Sequence, residues 1–297
     1  MLTLQEQWSS FHAGHFGSFT PHPCPRRFAA PSPASLTVRR MAKCYNPNQM
    51  LTDFPKLHCP FLRQTFPVAP AAFREKGRSL GLRAPEVYLV VDRINPGYEW
   101  VFQDPDTFAV EKLNGTNIKI LTEKGRLVEL QNRKNVLDPQ QILDGRTFIM
   151  EGVLNSAGKG LVLPDGEQAG ELLGPKVNGN PYRLDRHEWY PFDRAIESLR
   201  YKSFNEHERT FDNLSAWFKD FLFSRYYQKK QRREPGAEGE KVFAEGVVFY
   251  NLRRKADGQE WRAKLRRDMF AWFYEGLPIE GYTPKGRDEA EDQDKFD

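Results

Sequence analysis

The feature that most constrains this chain is a succession of short β-rich runs, each closed by turn residues, through its middle and C-terminal parts. Glu86–Asp92 (EVYLVVD) and Tyr98–Gln103 (YEWVFQ) read as strands, with Asn95-Pro96-Gly97 as the turn between them. Asn117–Thr122 and Leu127–Leu130 flank Lys124-Gly125, the signature of a hairpin. Thr147–Leu154, Trp189–Phe192 and Val242–Tyr250 are further strand candidates. Glu206–Arg233 instead carries apolar residues at helical spacing: Phe211, Leu214, Phe218, then Phe221 or Leu222. That stretch ends in Arg225–Arg233, which holds five basic residues. No repeat of about 20–50 residues is visible. Strands in succession with one long helix imply an α+β fold built on mostly antiparallel sheet.

Composition narrows the choice. Of 297 residues, 39% are hydrophobic and 13% aromatic, enough for a packed core, so a wholly disordered chain is excluded. No window approaches about 18 apolar residues, and no membrane partner is expected. Cys24, Cys44 and Cys59 are odd in number and lack paired metal-ligand spacing, which points to a reducing compartment and a cytoplasmic location. His12, His15, His22 and Cys24 match no standard zinc pattern. Residues 1–43 hold a single acid, Glu6, against five bases, together with many Ser, Pro and His. Such a start can be an organellar targeting peptide, but Pro21, Pro23, Pro25, Pro31 and Pro33 oppose the helix it would need. The expected organisation is a disordered or basic extension over 1–40 and a segment packing on the core over 41–95. A main domain over 96–275 and an acidic tail over 276–297 complete it.

The sharpest local signal is Glu111-Lys112-Leu113-Asn114-Gly115-Thr116-Asn117, a lysine closing one strand and a glycine bending the chain into the next. An amine in that place can act as a nucleophile once its proton is removed, and the glycine would let a phosphate or base approach the backbone. Downstream come Arg133, the Gly170–Pro181 stretch with Glu171 inside it, and the aromatic Trp189-Tyr190-Pro191-Phe192-Asp193. Glu245 then opens an apolar run, and Arg262, Lys264 and Arg266 alternate with apolar residues so that all three share one strand face. Such a face suits a polyphosphate. Each residue also has a plain structural reading: hairpin capping for Glu111 and Asn117, core packing for Phe192, a surface carboxylate for Glu171 and Glu245.

Taken in order, these segments resemble the motifs of the covalent nucleotidyltransferase superfamily, the polynucleotide ligases and mRNA-capping enzymes, and most of all the type-2 RNA ligases. The lysine motif Glu-Lys-x-x-Gly-x-Asn is filled by Glu111, Lys112, Gly115 and Asn117. The pattern Gly-Glu-x-x-Gly-Pro-x-Ile-Gln is met by Gly170–Asn178, with Val177 and Asn178 as conservative changes. The Phe-Asp pair is Phe192-Asp193, and Glu-Gly-Val-Val is Glu245–Val248. Two departures stand out. The last motif of the group has two lysines one residue apart, where this chain has Arg262-x-Lys264 or Lys264-x-Arg266. Family members also carry a further domain after that motif, whereas 33 residues follow Lys264 here. Glu151 competes with Glu171 for the middle glutamate motif, and the fuller Gly-Pro context favours Glu171.

The resemblance implies an α+β nucleotidyltransferase (ATP-grasp-like) domain of antiparallel sheets flanked by helices. It implies an ATP-dependent RNA ligase that joins 3′-OH and 5′-phosphate RNA ends through a lysyl-AMP intermediate and an adenylylated RNA. Lys112 would be the nucleophile and Lys264, helped by Arg262 or Arg266, would hold phosphates. Glu245 would bind Mg²⁺, and Phe192 would stack on adenine. Glu111, Asn117, Arg133 and Glu171 would contact the nucleotide or the RNA phosphate. ATP and RNA ends are the expected partners, and completion of ligation falls to the one nucleotidyltransferase domain, its N-terminal segment, or a protein partner or repair co-factor. A DNA or nick-sealing ligase, a GTP-using capping-type transferase, and an inactive nucleic-acid-binding relative remain open alternatives.

Overall fold

The computed structural model describes residues 56–132, 135–137, 147–160, 163–231, 240–254 and 261–286. Strands β1 (Phe61–Pro67) and β2 (Glu86–Ile94) pair antiparallel. A single helical turn, Trp100–Gln103, leads into β3 (Phe108–Lys112), β4 (Thr116–Glu123), β5 (Arg126–Asn132) and β6 (Val136–Leu137). There follow α1 (Thr147–Gly158), β7 (Gly166–Leu173), β8 (Glu188–Pro191), α2 (Phe192–Ser198) and β9 (Arg200–Tyr201). Helices α3 (Phe211–Asp220) and α4 (Arg225–Gln231) precede β10 (Gly246–Tyr250) and β11 (Arg262–Arg266). Besides the β1–β2 pair, the described residues form two larger antiparallel sheets, a first ordered β11-β10-β3-β9 and a second ordered β6-β5-β4-β7-β8. The α+β class and antiparallel pairing read from the sequence are those of the molecule.

Local chemistry explains the joints. The β4–β5 hairpin turns on Lys124 (φ 51°) and Gly125 (φ 70°), two consecutive left-handed residues that match the twist of the flanking strands. Between β3 and β4 the chain passes from the first sheet to the second through Leu113-Asn114-Gly115, so the lysine motif straddles both. A Cβ on Gly115 would overlap the Leu172 carbonyl of β7. The glycine therefore serves the close approach of two protein backbones, not the approach of a phosphate as the sequence suggested.

Three stretches differ from expectation. Thr147–Leu154 lies in α1, where Ile149, Met150, Val153 and Leu154 form a helical stripe packed on Leu172 and Trp189. Tyr98–Gln103 holds a helical turn, not a strand. The described part of Glu206–Arg233 holds two α-helices, because Phe223 pairs with Phe243 and Ser224 N–H donates to Val242 O at 2.7 Å. Ser224 then begins α4, its Oγ accepting from Tyr227 N–H at 3.0 Å.

One apolar cluster covers the face of the first sheet bearing Ala109, Val247, Phe249, Ala263 and Leu265. The other face carries Val110, Val248 and Tyr250, which join Leu173 and Tyr190 of the second sheet in a core between the two. The β1–β2 pair is tied to the C-terminal stretch: Asp92 N–H donates to Pro284 O, Glu280 N–H to Pro67 O, and Val68 bridges Ile279. Residues 276–286, assigned by charge to a tail, thus pack against the N-terminal segment.

Candidate active site

Period-two alternation along β3 sends Glu111 and Lys112 to opposite faces of the first sheet. Lys112 stands opposite Gly246, which stands opposite Arg266, so one row of the sheet carries both cationic side chains on either side of a glycine. Lys112 Nζ lies 2.6 Å from Glu245 Oε2 and 3.4 Å from Leu113 O. Arg266 Nη1 approaches Glu245 Oε1 at 3.7 Å, and Arg266 Nε pairs with Asp268 Oδ1 at 3.1 Å. Lys264 is opposite Val248, two residues along the same face, and Arg262 two further, opposite Tyr250. Register therefore makes Arg266, not Arg262, the basic partner of Lys264 nearest to Lys112 and Glu245. Burial raises the Asp268 carboxyl above the usual carboxylate range, partly offset by Arg266.

Glu111 is 3% exposed and sealed beneath the strand. Its Oε1 accepts from Ser224 Oγ at 2.6 Å and its Oε2 from Tyr226 N–H at 2.7 Å. Burial pushes this carboxyl up to about 7 against the pull of those two donors. It holds the start of α4 to β3 and faces away from Lys112, so neither nucleotide contact nor hairpin capping describes its placement.

The second sheet supplies another polar pair. Asn117 of β4 is opposite Glu171 of β7, and Asn117 Nδ2 donates to Glu171 Oε2 at 2.6 Å. Glu171 is opposite Tyr190, and Phe192, half-buried, opens α2 directly after β8. Arg133 lies outside the described residues. The bend after Lys112 is clamped from the Gly-Pro stretch: Asn178 Nδ2 donates to Gly115 O at 2.8 Å and to Asn114 Oδ1 at 2.9 Å. Tyr182 Oη accepts from Asn114 N–H at 2.8 Å. Sequence reasoning took Asn178 as a mere variant of a motif position and gave Tyr182 no role. The left-handed backbone of Asn178 (φ 46°), within Asn178-Gly179-Asn180, was the signal of a tight, directed loop.

Among the described residues no group of three or more His, Cys, Asp or Glu could enclose a metal. The donor chemistry nonetheless fits a hard divalent cation such as Mg²⁺, which characteristically takes one or two carboxylates and completes its shell with water and substrate phosphates. Glu245 is the carboxylate so placed.

The sequence profile of the family described as RNA ligase matches residues 106–266, more than half of the chain and the span that holds Lys112, Glu171, Glu245 and Lys264. The chain belongs to the RNA ligase family. Among solved structures, a mutant of the Naegleria gruberi RNA ligase with ATP and Mn aligns at 18% identity and TM-score 0.31, over 57% of this chain and 51% of that one. A second mutant of the same ligase, without ligand, aligns at 13% identity and TM-score 0.37, over 75% and 63%. The Naegleria ligase with PPi aligns at 15% identity and TM-score 0.32, over 75% and 64%. The chain thus spans about half to two thirds of the length of those proteins. No curated protein matches it in sequence.

The two glutamates weighed for the middle motif sit in different surroundings. Glu171 lies on the sheet that follows the lysine bend and pairs with the motif residue Asn117. Glu151 lies on α1, where its Oε2 meets His187 Nδ1 at 3.1 Å, on the far side of the second sheet. The basic end of the helical stretch also finds a place. Lys229 and Lys230 line a cavity of about 490 Å³ with Lys159, Arg186 and Arg194, at the outer edge of β8. No helix of the described residues is long and apolar enough to cross a membrane.

Proposed function

We propose that this chain is an ATP-dependent RNA ligase that seals 3′-OH to 5′-phosphate ends through a lysyl-AMP intermediate. The observation that carries the reading is the 2.6 Å contact between Lys112 Nζ and Glu245 Oε2, with Arg266 on the same row, inside the span that matches the family. The Lys112 amine would attack the α-phosphorus of ATP, forming an N–P bond while the bond to the pyrophosphate oxygen breaks. A divalent cation, when bound, would neutralise phosphate charge. Glu245 would serve first as the partner that fixes the Lys112 head group and then as a ligand of that cation. Lys264 and Arg266 would gather the negative charge that accumulates on the departing pyrophosphate. Asn117 and Glu171 would meet the ribose and Phe192 the adenine, while Asn178 and Tyr182 keep the bend after Lys112 from shifting. The basic cavity beside β8 would draw RNA phosphates. The expected setting is a reducing, cytoplasmic one, in keeping with the free buried thiol of Cys59.

The test is incubation of the protein with α-labelled ATP and Mg²⁺, in parallel with Lys112→Ala. A labelled protein band that disappears in the variant supports the reading. A band that survives in Lys112→Ala, or no band with the parent protein, overturns it.

A further inference from the structure

His187, just ahead of β8, is buried, and both of its ring nitrogens are engaged. Nδ1 meets Glu151 Oε2 of α1 at 3.1 Å, and Nε2 accepts from the Lys176 N–H of the Gly-Pro stretch at 3.2 Å. The backbone is held as well, since His187 O accepts from Asn155 Nδ2 at 2.9 Å. Glu151 and Asn155 are four residues apart, so one face of α1 grips both the ring and the main chain of His187. Phe148 of the same helix lies 5.2 Å from the ring between centroids, and a Cβ on Gly174 would come within 2.6 Å of it. Little room is left for the ring to turn.

The proton positions follow from the partners. A backbone N–H can only donate, so the nitrogen facing Lys176 must present its lone pair. A neutral imidazole then carries its proton on Nδ1, where the Glu151 carboxylate accepts it. Removing that carboxylate frees the proton to sit on Nε2, and two N–H groups would then oppose each other. The loop is where this matters. Lys176 lies inside the turn closed by Val177 N–H to Gly174 O at 3.0 Å, and a second turn, Asn180 N–H to Val177 O at 2.8 Å, follows at once. Asn178 stands in that second turn and carries both of its side-chain bonds to the bend after Lys112.

We infer that His187 is a positioning residue for Lys112, acting through this loop. Glu151 fixes the Nδ1–H form of the ring, the bare Nε2 fixes Lys176, and the two turns then hold Asn178 against Gly115 and Asn114. The inference rests on the ligase reading above and deepens it, because the bend so held is the one that presents the lysine. It also gives Glu151 a task that requires no contact with the nucleotide.

The test reads the ring, the loop and the reaction separately. In protein carrying ¹⁵N-labelled histidine, the ring resonances of His187 should show a protonated Nδ1 and a bare Nε2, and the Nε2–H form should appear in Glu151→Ala. Amide hydrogen exchange at Lys176 should quicken by about five- to tenfold in Glu151→Ala, the worth of one hydrogen bond. Glu151→Gln, whose amide oxygen still accepts from Nδ1–H, should restore most of that protection. At saturating ATP and Mg²⁺ the rate of Lys112 labelling should fall by about fivefold or more in Glu151→Ala with the half-saturating ATP concentration unchanged, because orientation of the amine and not capture of ATP is lost. A protonated Nε2 in the parent protein, unchanged exchange at Lys176 in Glu151→Ala, or a parent-like labelling rate in that variant overturns the inference. The ring form of the parent needs no variant, so a poorly folding substitution cannot mask the answer. Ring form and exchange need no nucleotide: if both behave as expected while the parent protein takes no label, the ligase reading alone falls.

Discussion

Replacing Glu111 by glutamine should make the stability of the protein respond differently to pH, although the side chain keeps its shape. In the fold, burial raises this carboxyl from an ordinary value of 4.5 to about 7. The folded state therefore holds the proton more tightly than the unfolded state, and folding gains from it. The sign follows from linkage: the gain is complete below about pH 4.5 and disappears as pH rises through about 7. At roughly 1.4 kcal/mol per unit, the loss between pH 5 and pH 8 amounts to about 2–3 kcal/mol. Glutamine resembles the protonated acid and cannot ionise, so Glu111→Gln lacks this slope. Its hydrogen bonds to Ser224 and Tyr226 differ somewhat from the parent's, but that difference does not change with pH. Urea unfolding of parent and variant at pH 5 and pH 8 isolates the effect. The midpoint of the variant relative to the parent should rise by about 1 M urea from the lower pH to the higher, for an m-value of roughly 2–3 kcal/mol per M. A gap between the two midpoints that stays constant with pH would refute the assignment of Glu111 as a buried carboxyl anchoring α4.

The site itself yields further expectations. Lys112→Arg keeps a cation beside Glu245 but supplies no neutral amine at working pH, so formation of the labelled AMP adduct should fall below detection. Glu245→Gln should slow metal-dependent adenylylation by about a hundredfold or more, while Glu151→Gln, on α1, should lower it less than Glu171→Gln; the reverse order in a single-turnover assay would misplace the middle motif. Gly115→Ala should destabilise the fold by about 1–3 kcal/mol through overlap with the Leu172 carbonyl, measured by thermal unfolding. RNA joining should weaken steeply as salt is raised from about 50 to 200 mM, and a flat response would exclude phosphate capture by the cavity at the β8 edge.

Much of the site was legible because its chemistry is tied to short sequence neighbourhoods. Lys112, Glu245 and Lys264 each end, precede or lie within a strand, and strand alternation alone placed Lys264 and Arg266 on one face. What the sequence could not supply was register between distant strands. Only the pairing of Gly246 with both Lys112 and Arg266 separates Arg266 from Arg262 as the neighbour of Lys112. The helices failed for a related reason. The apolar spacing of Phe211–Phe218 continues plausibly through Phe221 and Leu222, yet a backbone pairing with Val242–Ala244 takes precedence, and Ser224 was the local sign that a new helix begins.

Glu111 and Lys112 show why a motif is an incomplete guide to roles. They are adjacent in sequence and appear together in the pattern, but a strand must turn consecutive side chains to opposite faces. Lys112 is left facing Glu245, and Glu111 is forced into the core behind the sheet, where a carboxylate persists only with dedicated donors. Ser224 and Tyr226 are those donors: Ser224 closes the segment whose backbone pairs with Val242–Ala244, and Tyr226 lies two residues beyond it. The same contacts that satisfy Glu111 therefore fix the chain immediately before Glu245. Lys112 meets its carboxylate at 2.6 Å, while the residue beside it anchors, from the opposite face, the segment that pairs with the chain just before Glu245.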